Sequence, residues 1–334
     1  MTTAWKRRIG LILFLAVLIG FLIGASAALT PYENTPGMKW RAYKNEPKNS
    51  LDALFVGSSY AFCDIIPAKI YQDSGVTSYV IGAPSMPPRL MEYYLKEAYR
   101  TQSPQVVFIE LTGVNYPAHT EYVEMNIGFM PFSGNRLAAT FSCAAPEKRA
   151  GLLFPLYLYH DTWNTVTGAE IRDRLFNREP DIAAGYCYRD AAGDIPTDTA
   201  GATLTSEEAI YRDNLVALAR MIAFANGRGA KVVCYLKADL VTLTEESLKK
   251  LRTDVTALGG DATFFYGNDF FTEMELDREQ DFFDPSHMNY RGAKKFSAFL
   301  ARRMTEQELV RPSGREDKAL WQARVDRLAL WDAE

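Results

Sequence analysis

Short apolar runs, each closed by a glycine or a polar turn, recur along this chain at residues 51–56, 79–81, 105–111, 231–236 and 262–266. Helical segments lie between or after them, at 90–99, at 206–226 and from Thr244-Glu-Glu onward, with another at 290–304. Ser206-Glu-Glu puts acidic residues in a first turn, and Gly227-Arg-Gly229 ends that helix. Strands alternating with helices specify a parallel sheet covered on both faces. The expected fold class is therefore α/β, a three-layer α/β/α sandwich. Residues 116–205 break the rhythm. They are rich in aromatics, Gly, Pro and Asp, with helical patches at 147–154 and 169–176, and they read as a long insertion into one domain spanning 51–308.

The other strong constraint is at the N-terminus. Lys6, Arg7 and Arg8 precede an uncharged stretch from Ile9 to Tyr32. About 20 apolar residues cross a bilayer as a helix. A basic flank before the span favours residues 1–8 staying in the cytoplasm. Residues 9–30 are thus expected to be a transmembrane anchor, making a single-pass cell-membrane protein with its folded domain outside the cytoplasm. Ala25-Ser26-Ala27 resembles a signal-peptidase site, so cleavage and secretion stay open. Lys39, Arg41 and Lys44 weaken the charge asymmetry. Residues 31–50, with Pro31, Pro36 and Pro47, read as a tether. A tail at 309–334 offers an amphipathic helix with Leu320, Trp321, Val325, Leu328 and Leu330 as its apolar side.

Some function classes are disfavoured. A net charge of −4 argues against nucleic acid binding. His119, His160 and His287 form no zinc pair, and Cys63, Cys143, Cys187 and Cys234 form no Cys-x-x-Cys. Four free thiols are expected; if one bridge forms, Cys143–Cys187 is the favoured pair. No metal or organic cofactor is implied, and an anchored phosphodiesterase or nuclease is disfavoured accordingly.

The strand ends carry the chemistry. The first run closes in Gly57-Ser58-Ser59, placing a serine hydroxyl at the carboxyl end of a strand, where open α/β sheets put their sites. The second ends at Gly82 and the third leads to Asn115. Far downstream, Asp284 and His287 share a loop just before a helix. The set suits acyl transfer. Ser59 is the candidate nucleophile and His287 its base, while Asp284 fixes the imidazole tautomer. The Ser59 N–H, the Gly82 N–H and the Asn115 amide are candidate oxyanion donors.

Gly57-Ser58-Ser59, Gly82, Gly113-Val114-Asn115 and Asp284-Pro-Ser-His287, in that order, resemble the four sequence blocks of the SGNH (GDSL-type) hydrolase superfamily. The resemblance covers roughly 51–304, apart from the insertion. It implies a flavodoxin-like sheet (the SGNH hydrolase fold) and a serine esterase or acyltransferase. Ser58 and Tyr116 depart from the pattern, since many members carry Asp at both positions. The Gly-Ser-Ser form and the N-terminal anchor are similar to membrane-anchored cell-envelope members of the D-alanine transfer and polysaccharide O-acetylation type. The implied partners are an acyl-bearing envelope carbohydrate or polymer and a membrane acyl-transfer protein. The acyl group, and water against sugar as acceptor, stay open.

Plainer roles compete with these. Ser59 is weighed against a helix cap, and Ser58 is the weaker nucleophile and the better cap. Cys63 reads as a small buried hydrophobe, Arg89 as structural, and Trp163 in Tyr159-His160-Asp-Thr-Trp163 as packing the insertion onto the domain rather than binding sugar. The rival of another class is a non-catalytic envelope assembly or binding protein on the same fold.

Overall fold

The computed structural model describes residues 3–31, 35–193, 195, 202 and 208–333. Its sheet has strands β1 (Ala53–Gly57), β2 (Ser78–Gly82), β3 (Val106–Glu110), β4 (Lys231–Leu236) and β5 (Ala262–Tyr266). They pair in parallel in the order β2-β1-β3-β4-β5. A hairpin of β6 (Phe282–Asp284) and β7 (His287–Met288) stands apart. The helices are α1 (Thr3–Leu29), α2 (Thr35–Tyr43), α3 (Ser59–Phe62), α4 (Pro67–Ser74), α5 (Pro88–Ala98), α6 (Glu121–Phe129), α7 (Gly134–Cys143), α8 (Arg149–Leu153), α9 (Pro155–Leu158), α10 (Gly168–Phe176), α11 (Glu208–Asn226), α12 (Glu245–Ala257), α13 (Tyr290–Glu306) and α14 (Lys318–Trp331).

Strand side chains alternate between two faces. Leu54, Val56, Val107, Ile109, Val232 and Cys234 feed one core, which takes in α5, α11 and α12. Ala53, Phe55, Val106, Phe108, Val233 and Tyr235 feed the other, which takes in α4 and α13. The runs are apolar throughout because both faces are covered. Strand order reverses at β1, with β2 on one side and β3 on the other. Such a reversal opens a crevice beyond the carboxyl ends of β1 and β3.

Helix α1 is long and apolar enough to cross a membrane, with a mean hydropathy of 2.7 and none of that window buried. The segment after it is not a loose tether. In α2, Trp40 and Tyr43 are buried and meet Tyr94 and Tyr79 edge-on. Its prolines and charges suggested a linker, but one aromatic face docks it on the core.

The tail is likewise part of the domain. Helix α14 buries Trp321, Arg324, Leu328 and Trp331, whereas Leu330, expected on the apolar side, is exposed. An arginine takes the inward position because Glu46 and the Asp181 carbonyl lie there to receive it.

The insertion holds more helix than its composition suggests. Thr120 and Ser133 cap α6 and α7, neither of which was expected. Its end at Thr205, the Ser206 and Glu207 start of α11, and Tyr32 at the end of the uncharged stretch lie outside the described residues.

Candidate active site

Strand β1 delivers its terminal turn to the crevice. Ser58 is the N-cap of α3, and its Oγ accepts from Tyr60 N at 3.4 Å. Ser58 Oγ also donates to Glu110 Oε2 at 2.8 Å. Glu110 is fully buried at the end of β3 and accepts from the Ser58 N–H and the Thr112 N–H as well. Burial pushes its carboxyl up, against the pull of Thr112 and Ser58. One carboxylate thus ties the turn after β1 to the turn after β3. Gly57 permits it: a Cβ there would lie 2.5 Å from Glu110 Cβ and 2.8 Å from Ala61 Cβ, inside contact distance.

With Ser58 spent as cap and clamp, Ser59 is the free hydroxyl at the helix start. Its Oγ lies 2.8 Å from His287 Nε2. His287 Nδ1 lies 2.8 Å from Asp284 Oδ2 and 3.0 Å from Oδ1. Asp284 Oδ1 also accepts from the Ser286 and His287 N–H groups, so the carboxylate that orients the ring shapes its own loop. Residues 228 apart in sequence therefore meet in one hydrogen-bonded line.

The electrostatics favour a neutral imidazole. Burial lowers the His287 pKa; Asp284 opposes this and does not overcome it. Burial pushes Asp284 up, but the Ser286 N–H and His287 outweigh it and hold the carboxyl below its ordinary value. Tyr60 stacks on the imidazole, with centroids 4.8 Å apart and planes 17° apart, and covers one ring face.

The oxyanion candidates differ. The Ser59 N–H opens α3, next to its own hydroxyl. Asn115 ends a 3₁₀ turn (Thr112–Asn115) held by Asn214 Nδ2, which donates to Val114 O and Tyr116 O. Its Oδ1 is buried and accepts no hydrogen bond among the described residues. Burial, and after it Tyr60, raises the Tyr116 pKa, so the residue after this turn lies beside the ring that stacks on His287. Gly82 is corrected. Val80 N donates outward to Ala184 O, and Ala83 N donates inward to Gly57 O. Strand alternation puts the Gly82 N–H on the outward side, away from β1. Gly82 instead allows close approach, since a Cβ there would sit 3.1 Å from the Gly57 and Ser58 carbonyls.

Three charged residues at the site were not singled out from the sequence: Glu110, Asp64 and Lys237. Lys237, just past β4, is buried between Asp64 (3.4 Å) and Asp239 (3.3 Å). Burial lowers its pKa, but Asp239 and Asp64 more than restore it. Burial pushes Asp64 up to about 7. Asp64 Oδ1 accepts from Met288 N at 2.9 Å, pinning the residue after His287. The available signal was a charge ending an otherwise apolar run, as in Phe108-Ile-Glu110 and Tyr235-Leu-Lys237.

The insertion braces the site from outside. Cys187 N donates to Phe62 O, Tyr290 N to Arg189 O, and Gly193 N to Phe282 O. All four thiols are free, and Cys63 Sγ accepts from Arg189 Nε at 3.3 Å. Arg89 is bound to Asp213 and the Ser142 carbonyl. Trp163 is exposed and packs nothing onto the domain. Among the described residues, no three His, Cys, Asp or Glu side chains gather as a metal-ligand set.

Comparison with protein-family models and with curated proteins finds no match. The functional reading therefore rests on the geometry and the sequence blocks.

Proposed function

We propose that this chain is a serine acyl-esterase or acyltransferase of SGNH type, anchored by α1 with its domain outside the cytoplasm. The observation that carries the proposal is the line Ser59 Oγ–His287 Nε2, Nδ1–Asp284, with 2.8 Å at each link. Ser59 attacks an ester carbonyl as His287 takes its proton, and Asp284 steadies the imidazolium that forms. The Ser59 N–H and the Asn115 amide are the proposed donors to the oxyanion. His287 then protonates the leaving alcohol, and water or a sugar hydroxyl releases the acyl group from Ser59. The strand order 2-1-3-4-5 is that of flavodoxin-like sheets and supports the family reading. An acyl-bearing envelope carbohydrate or polymer is the proposed substrate class, from the sequence resemblance and the apolar N-terminal helix.

A pH profile tests the reading. The base works only when neutral, and burial lowers the His287 pKa from 6.5. The acid limb of kcat/KM for p-nitrophenyl acetate is therefore expected to have its midpoint below 6.5, with a plateau above it. A limb centred well above 6.5 would mean that another group is the base.

A further inference from the structure

The stretch around α9 and α10 leaves large apolar side chains exposed. Phe154, Tyr157, Trp163 and Phe176 are 67%, 68%, 69% and 70% exposed. Scattered exposed hydrophobes are ordinary, but a cluster of aromatics in one short stretch marks an interaction surface. This stretch is also where α1 lands. Helix α1 packs against α9, α10 and the 3₁₀ turn His160–Asn164 between them. Thr162 Oγ1 lies 2.8 Å from both Leu29 O and Tyr159 O, and Arg174 Nη1 donates to Ala28 O and Leu29 O at 3.1 and 3.2 Å. The Ala28 and Leu29 carbonyls end α1 and have no partner within the helix. The insertion therefore grips the end of the apolar helix with a basic side chain, the charge that a helix C-terminus favours.

A spanning helix ends at the bilayer interface, so whatever is bonded to that end sits at headgroup depth. Tyr and Trp are favoured at that depth, and apolar rings reach the acyl boundary. We propose that residues 154–176 form a platform resting on a phospholipid bilayer, with Phe154, Tyr157, Trp163 and Phe176 in the headgroup–acyl boundary of the leaflet where α1 ends. The occupant follows from continuity with α1, whose exposed apolar flank leads into the same surface. The platform also sets the height of the site. Residues 177–187 reach at most roughly 36 Å even when extended. Along them Asp181 accepts from Tyr79 OH, Ala184 accepts from Val80 N, and Cys187 donates to Phe62 beside the Ser59 turn. The site is thus strapped near the bilayer, within reach of a donor or acceptor carried at the membrane surface.

The test uses the full chain in phosphatidylcholine vesicles, with and without lipid brominated in the upper acyl chain. The difference between wild type and Trp163→Phe isolates the Trp163 emission, because Trp5, Trp40, Trp321 and Trp331 are common to both. Brominated lipid is expected to quench that difference by at least half, and aqueous acrylamide to quench it weakly. Trp163 emission untouched by brominated lipid and freely quenched by acrylamide would overturn the platform. Trp5→Phe serves as the control for α1. A Trp5 share that brominated lipid does not quench would overturn the proposal at its premise, and serine chemistry at Ser59 would stand or fall separately.

Discussion

Ser59→Ala is expected to lower the ester-cleavage rate by about 10⁴–10⁶-fold, and His287→Ala by a similar factor. The double variant is expected to be scarcely worse than either single one. The reason is mechanistic: with Ser59 gone, the His287 base has no proton to take, so the second deletion removes nothing that still acts. Independent contributions would instead multiply. The folded state should tolerate both changes, because Ser58, Glu110 and Gly57, not Ser59, hold the turn together. Rates of p-nitrophenyl acetate hydrolysis for the four proteins, with matched thermal melts, check this. Multiplying losses would show that the two side chains do not work as one unit.

Arg324→Ala is expected to be the most damaging single change to stability, at about 3–5 kcal/mol. Both Arg324 and Glu46 have fully buried side chains. The guanidinium bonds Glu46, donates to Asp181 O through Nε (3.2 Å) and Nη2 (2.8 Å), and lies 4.5 Å from the Trp321 ring. Burial pushes the Glu46 carboxyl up, and Arg324 only partly offsets this. Truncation leaves that carboxylate buried without its cation and opens a void between the tail, the segment after α2 and the insertion. Arg324→Met restores volume but not charge, and is expected to cost less only alongside Glu46→Gln. Thermal unfolding of the full chain in detergent micelles measures the order. A loss under about 1 kcal/mol for Arg324→Ala would mean that the tail is not integral to the fold.

Where the sequence was legible, local signals agreed with one another. β4 and β5 fall at 231–236 and 262–266 as the apolar runs predict, and Thr244 caps α12. The meeting of Ser59, Asp284 and His287 was legible because each sits where a strand or loop must end. The failures share a cause: in each, a distant partner decides the role. Glu110, Asp64 and Lys237 look like ordinary charges at strand or helix ends until β1, β3 and β4 become neighbours. Lys39, Trp40 and Tyr43 sit in a proline-flanked polar segment, and only Tyr94, Tyr79 and Phe62 show why they are buried. Gly82 was placed at the correct strand end, but its N–H direction depends on which strand lies beside it. Trp163 was read as packing the insertion onto the domain, whereas it is exposed in a segment that meets the end of α1.

The most direct measurement is reaction of the full chain in micelles with a fluorophosphonate, followed by intact-mass analysis and peptide mapping. One adduct per chain, on Ser59, lost in His287→Ala at neutral pH, is the expected result. A well-folded chain that takes up no phosphonate, or takes it up at another residue, would contradict the acyl-transfer assignment and leave the line from Ser59 to Asp284 as architecture without turnover.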